Sequence, residues 1–560
     1  MSQLVDNKVG LSSNTNQVHG TIDGSKAQIG KKSDQKEISQ SKLVTMWGLI
    51  LIGYFLFVVQ WYSISNFSGG YTNNIGAVTG NAALSSMPNW TITLMRGIGS
   101  ILAGWLLAKV GHKYAVITVL SLMVISFPFL IVIGIKWDYP IGGYNDAAFG
   151  LFLFFRLFLA IGGTTLITYT NSVIAKMPVE KKPTFMTINQ FGFNGGAFFA
   201  NIFFCFGLSS VINGSTDIWL SILVVFIVLI ALILALYALF GKEVVPAQKK
   251  SNATKFEAND VTFGKVFKQS YTWKMSTIFI VWLVSVVFIN SATMRTVIEQ
   301  SPANLQTLIE WNIANGKNAT ALANTTLGTA TTVVIGSGYN WVWPTFICMF
   351  VAGFFVGLLF ISPFSKTIYK RKSFINLMFV LGFVFAAASI MVGYFGGYGN
   401  PVALAFYFIL IFISGMFLWA VQPVLLTLYQ QAPQSSPKYA GIIAGLIWGI
   451  GYVGYTIVEL SLSLIQSYTG SPNLFAASAL AGTSAGLEQL SSWVNYYANN
   501  ISGGNIAVIV IFFVICLLVF IPIQLLPEAG IKDKDGNFKP FTKAWKPWQW
   551  NFKKSDILIH

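Results

Sequence analysis

Charge is what this chain has least of. Only 10% of its 560 residues are Asp, Glu, Lys or Arg, and just 19 of those are acidic. A soluble domain carries roughly a quarter charged residues, enough to cover a water-facing surface. With 54% apolar residues and a mean hydropathy of +0.64, the chain cannot be a soluble globular, disordered or disulfide-framework protein. Cysteine and histidine are also scarce. Cys205, Cys348 and Cys516 stand alone in separate apolar runs with no CxxC, and they read as small apolar residues. His19, His112 and His560 fall in polar tails or a short loop. These counts leave no basis for a metal centre, a cofactor or His-based catalysis, so the expected class is not an enzyme. No GxxxxGK[ST] occurs, which excludes a P-loop ATPase. A polytopic membrane protein remains.

Its long apolar runs are then the main content. A hydrocarbon layer of ~30 Å needs ~20 helical residues. Twelve stretches qualify: 44–64, 89–110, 115–135, 147–175, 185–211, 218–240, 275–298, 342–362, 374–395, 401–429, 440–465 and 506–526. They divide six and six. The expected organisation is a cytoplasmic tail (1–43), a six-helix bundle (44–241), a cytoplasmic linker (242–274), a second bundle (275–526) and a cytoplasmic C-terminal tail (527–560). Two long polar outer segments, 299–341 and 466–505, belong to the second bundle; they read as short helices over the outer mouth or as solvated loops. Thirty of the 35 Lys and Arg lie on the side of the termini, and only Lys136 and Lys317 lie in outer loops. This places both termini in the cytoplasm, in a cell (plasma) membrane. The net charge of +16 is therefore a topological signal and an attraction to anionic lipid, with no nucleic-acid partner. Trp545, Trp548, Trp550 and Phe552 alternate with lysines in the C-terminal tail, as expected of a headgroup anchor.

Between the second and third spans the chain reads GWLLAKVGHKY. This resembles the loop motif of the major facilitator superfamily, in which a glycine is followed by an acid, a base and a second glycine. Gly104, Lys109, Gly111 and Lys113 match, and Ala108 stands where the family has its acid. Gly104 is expected to allow close helix approach and Gly111 a tight turn. In the family the acid latches the closed cytoplasmic gate, so Ala108 puts that latch in doubt. After the eighth span, SPFSKTIYKRKS keeps a basic cluster but neither glycines nor acid, as a degraded duplicate would. FRLFLAIGGTT resembles the family's fourth-helix pattern at Arg156, Ala160 and Gly162. The resemblance implies an all-α membrane fold of two pseudo-symmetric six-helix bundles. It also implies alternating access to a central site for a small-molecule solute, in a monomeric protein.

The candidate site residues are the polar groups stranded at membrane depth. Arg156 lies about 13 Å, and Arg96 about 10 Å, from the outer ends of their spans. An arginine there costs at least ~2.5 kcal/mol unless it finds a partner or a wet cavity. Each reads either as a cationic site for an anionic substrate or as structural packing. Arg295, near an interface, can snorkel. Glu459 shares a helix face with Tyr452, Tyr455 and Ser463 and is the candidate coupling carboxylate, for a proton or another ion; phosphate is the alternative coupling ion. Gln190, Asn194 and Asn201 form an amide stripe. Gln60 and Asn290 stand at mid-helix in spans 1 and 7. Trp419 and Gln422 precede Pro423, where the helix is expected to bend.

The first expectation is transport of an organic anion such as a sugar phosphate. The chain resembles the organophosphate exchanger branch weakly, since Gln60 and Asn290 occupy positions where that branch has arginines. The alternatives are a carrier of neutral sugars, nucleosides or amino acids coupled through Glu459, or a non-transporting receptor or scaffold.

Overall fold

The structure is a computed structural model, and it describes residues 38–67, 82–128, 146–177, 182–202, 205, 216–244, 263–304, 307, 339, 341–434, 437–469, 503–532, 537–547 and 552–557. Most of both outer segments, Trp548, Trp550, and the expected ends of spans three and five (129–135 and 206–211) lie outside these residues.

Apolar runs become helices because hydrocarbon offers the backbone no hydrogen-bond partner. The first half comprises α1 (Gln40–Phe67), α2 (Ala82–Val110), α3 (His112–Ile125), α4 (Asp146–Ala175), α5 (Lys182–Ile202) and α6 (Thr216–Phe240). The second comprises α7 (Ser270–Val287), α8 (Val342–Phe364), α9 (Arg371–Gly396), α10 (Pro401–Leu418), α11 (Pro437–Thr469) and α12 (Gly503–Leu525). Among the described residues ten helices are long and apolar enough to cross a membrane, and α3 adds a shorter apolar helix. Hydropathy sorts them by position. In α6 a mean hydropathy of 3.3 accompanies only 28% burial, whereas in α7 a value of 1.8 accompanies 78%. α6 thus turns most of its surface outward, whereas α7 fills the centre.

Among the described residues several spans expected to be continuous are broken, α12 among them just before Phe520–Leu525. α7 tightens into a 3-10 turn at Phe288–Asn290 and restarts at Ala292–Glu299, where Ser291 Oγ accepts from the Met294 amide at 3.2 Å. α10 stops at Leu418 and resumes at Gln422–Leu428. Pro423 has no amide hydrogen for the Trp419 carbonyl, which accepts from the Gln422 amide at 3.1 Å; this frees the Leu418 carbonyl, which accepts from Trp282 Nε1 at 2.9 Å.

The packing repeats. In the first half α2, α3 and α1 pack on α4, α1 also on α5 and α6, and α3 on α6. Adding six to every number gives the packing of the second half. Between the halves α2 packs on α11 and α5 on α8, and the same shift by six exchanges these two pairs. These are two pseudo-symmetric six-helix bundles. The close approach expected at Gly104 is made one residue past Arg96 instead: a Cβ on Gly104 would meet open space, whereas one on Gly97 would lie 2.8 Å from Val453 Cγ2 and 3.0 Å from the Gly449 carbonyl. Gly111 does make the tight turn, at φ 82°.

The C-terminal tail departs from the expected headgroup anchor. Its antiparallel strands β1 (Gly530–Lys532) and β2 (Phe538–Pro540) fold back beneath the second half. Trp545 is buried against Phe364 and Phe374, and Phe552 packs on Phe364 and Tyr369. The Ile368 amide donates to the Asp556 carbonyl at 2.9 Å, and Asp556 pairs with Lys543 and accepts from the Tyr369 hydroxyl. Lys543 and Tyr369 hold the Asp556 carboxyl below its ordinary value of 3.8. A depressed acid stabilises docking above its unfolded value and loses that contribution as pH falls through the folded one. The tail should therefore stay docked from pH 8 to 5 and loosen only below about 4. Trp545 fluorescence against pH tests this, and D556N should show the loosened signal already at pH 7.

Candidate functional site

Arg96 is the centre of the site because three helices, α1, α5 and α11, deliver aromatic rings to it. Its guanidinium lies 4.3 Å from the ring centre of Tyr452 on α11, 4.6 Å from Trp61 on α1 and 5.1 Å from Phe193 on α5. Its Nη2 donates to the Tyr54 hydroxyl at 3.3 Å, while Nε and Nη1 have no partner. The side chain is 2% exposed, and neither ion pair among the described residues involves it. Aromatic faces attract a desolvated guanidinium by ~2 kcal/mol, which is less than the cost of burying an uncompensated charge. The arrangement therefore holds a buried cation with two unused donor nitrogens.

Arg96 borders an open cavity enclosing about 780 Å³ together with the solvent space at its mouth. Both halves line it. Asn171, Asn189 and Gln190 come from α4 and α5; Gln422 and Gln430 come from the region after the α10 break. Trp282, Trp419 and Trp448 supply indoles, with Tyr429 and Tyr452 beside them. Among the described residues no carboxylate lines it. The cavity lies toward the ends of α4, α5 and α10 that lead to the short basic connections. On the opposite side the halves are shut. Thr93 and Thr456 hydroxyls meet at 2.8 Å across α2 and α11, and Phe198 on α5 packs on Phe355 of α8.

Of the sequence candidates, the structure brings Arg96, Gln190, Trp419, Gln422 and Tyr452 together on this wall. Arg156 lies outside it, 1% exposed, with Nη2 donating to the Trp61 carbonyl at 3.3 Å and Nε and Nη1 unpartnered. Trp61 thus joins the two arginines, its carbonyl held by one and its ring covering the other. Gln60 Nε2 donates to the Leu223 carbonyl at 3.2 Å; Asn194 and Asn290 donate to carbonyls one turn back in their own helices. Tyr455 and Glu459 are buried above the cavity, inside the shut region. Glu459 Oε2 has no partner, and seven residues of helix place it about 10 Å beyond Tyr452. Arg295 does not snorkel: its Nε bonds Glu299 Oε1 at 2.8 Å in a largely buried pair. Trp448, one turn before Tyr452, extended the α11 stripe and could have been found; Trp282 and Asn171 gave no such signal.

The loop motif has an acid after all. Glu243, just past α6, accepts from the backbone amides of His112 (2.5 Å) and Lys113 (3.2 Å) at the start of α3, where a carboxylate meets the helix dipole. Lys109 instead lies over Trp105 at 4.6 Å. The pseudo-symmetric partner is Glu528, just past α12, which accepts from the Arg371 amide at 2.8 Å at the start of α9.

A family profile described as Mycoplasma MFS transporter matches residues 152–467, more than half of the chain. A major facilitator superfamily transporter of Mycoplasma pneumoniae is similar, with 27% identity over 90% of this chain and 97% of that protein. The structure also resembles a bacterial homologue of the human lysosomal transporter Spinster in an inward-facing, unoccupied conformation. That match has a TM-score of 0.51 and 14% identity, and it covers 87% of this chain and 98% of the other. A partially occluded inward-open form of the Escherichia coli xylose transporter gives a TM-score of 0.50 at 12% identity, over 87% and 98% of the two chains.

Proposed function

The chain belongs to the Mycoplasma MFS transporter family, and from that premise we propose that it carries a small organic anion, such as a sugar phosphate, by alternating access. One observation carries the choice of anion: Arg96 borders the cavity with two donor nitrogens unpartnered and, among the described residues, no carboxylate facing it. A carboxylate or phosphate fits the guanidinium fork, and the amides around it suit hydroxyl groups. The positive-inside bias supports a plasma-membrane location with both termini cytoplasmic, so the cavity faces the cytoplasm in this state. Opening the other face requires α2–α11 and α5–α8 to part while each bundle stays intact. Nothing in this cycle needs a second subunit, and we take the working unit to be a monomer.

A thermal-shift panel of sugar phosphates, free sugars, amino acids and nucleosides tests the reading. A ligand at a hundred times its Kd adds about 2.7 kcal/mol to apparent stability. Upshifts confined to phosphorylated or carboxylated compounds are expected; upshifts with neutral compounds alone would reject the anion.

Glu459 favours a second reading, in which movement of a neutral solute is tied to a proton or another cation. Its carboxyl lies in the shut region, which the other state would open. E459Q should flatten the dependence of uptake on pH between 5 and 8 if it couples; an unaltered profile would make it structural.

A further inference from the structure

We propose that Cys205 and Cys348 form a dithiol site that a peroxide converts into a disulfide, stapling the two halves together on their shut face. The two residues belong to different halves. Cys205 lies just past the end of α5, fully buried, with its thiol donating to the Asn201 carbonyl at 3.3 Å. Thr345 and Cys348, one turn apart on the same face of α8, are its neighbours across the boundary between the halves. Cys348 is 3% exposed, and its sulfur reaches back to the Phe198 carbonyl of α5 at 3.9 Å. Both cysteines are free. Two neighbouring thiols from the two halves meet the first condition for a bridge, that the sulfurs lie near each other.

The chemistry balances with one hydrogen peroxide per site. One cysteine sulfur attacks a peroxide oxygen, breaking the O–O bond and leaving a sulfenic acid and one water. The second sulfur attacks the sulfenic sulfur, forming the S–S bond and releasing the hydroxyl with the remaining thiol proton as a second water. Two thiols are oxidised and the peroxide is reduced. The product ties α5 to α8 where they must separate for the shut face to open. Its effect on transport rests on the alternating-access reading; formation of the bond does not.

The full-length protein would be treated with hydrogen peroxide, its remaining thiols blocked with N-ethylmaleimide, and its peptides mapped without reductant. The expected result is one cross-linked pair, Cys205 with Cys348, while Cys516 stays unlinked. C205S and C348S should each abolish the pair. Hydrogen exchange over residues 342–349 should slow at least tenfold on oxidation and recover with dithiothreitol. Separate oxidation of the two sulfurs without a link would overturn the proposal, as would a link that leaves exchange unchanged. Reduced protein that forms the link yet moves no solute would count against the transport reading alone.

Discussion

R96Q should lower the affinity for an anionic solute by roughly thirtyfold or more, because removing one partner of a buried charge pair costs about 2–5 kcal/mol and each 1.4 kcal/mol is tenfold. Binding of a neutral analogue should change little. The empty protein should behave in the opposite sense. Arg96 is buried with aromatic faces and one hydroxyl as its only company, so replacing it relieves a desolvation cost, and the thermal midpoint without ligand should rise. R156Q gives the contrast. It removes a donor to the Trp61 carbonyl outside the cavity, so anion affinity should fall less and only through displacement of Trp61. Calorimetric titration with a sugar phosphate, together with thermal unfolding of the empty protein, checks both signs. A lowered midpoint with unaltered affinity in R96Q would make Arg96 a packing residue.

G97L should trap the opposite conformation. A Cβ at this position already comes within 3.0 Å of the Gly449 carbonyl, and backbone cannot retreat as a side-chain tip can. A leucine there is compatible with a folded protein only if α2 and α11 move apart. Because the contact lies between the bundles, the cost falls on the equilibrium between states rather than on either bundle. Cysteines introduced on the shut face should label at least tenfold faster, and those lining the cavity more slowly. The comparison is G353L, where a Cβ would collide with the Phe412 carbonyl at the α8–α10 crossing inside the second half. That variant should lose several kcal/mol of stability through overpacking, with no compensating state to adopt. Unfolding of both variants alike would reject the distinction between gate and scaffold.

These contrasts show which parts of the molecule the sequence could reveal. Span number and six-plus-six division were legible because an apolar run of about 20 residues has few other uses. Arg96 was legible as a charge where charge is costly, and Tyr452, Trp419 and Gln422 as polar or aromatic groups on helix faces. The break in α7 was hidden, since Phe288 to Met294 reads as uninterrupted span. Trp282 was hidden because an indole in an apolar helix looks like a lipid-facing ring until its Nε1 is seen on the Leu418 carbonyl. Glu243 could not be matched to the loop motif, because its partner amide is 131 residues away. Cys205 and Cys348 failed for the same reason: the fold, not their spacing, makes them neighbours.

The mirrored carboxylates Glu243 and Glu528 have a consequence for how the protein can be divided. Each bundle clasps its own trailing end, so the stretch joining Glu243 to Phe263 need not transmit force between the moving bodies. Two separately encoded chains, severed within that stretch and produced in one cell, should find each other in the bilayer and reconstitute the carrier, much as two hinged leaves work without sharing a frame.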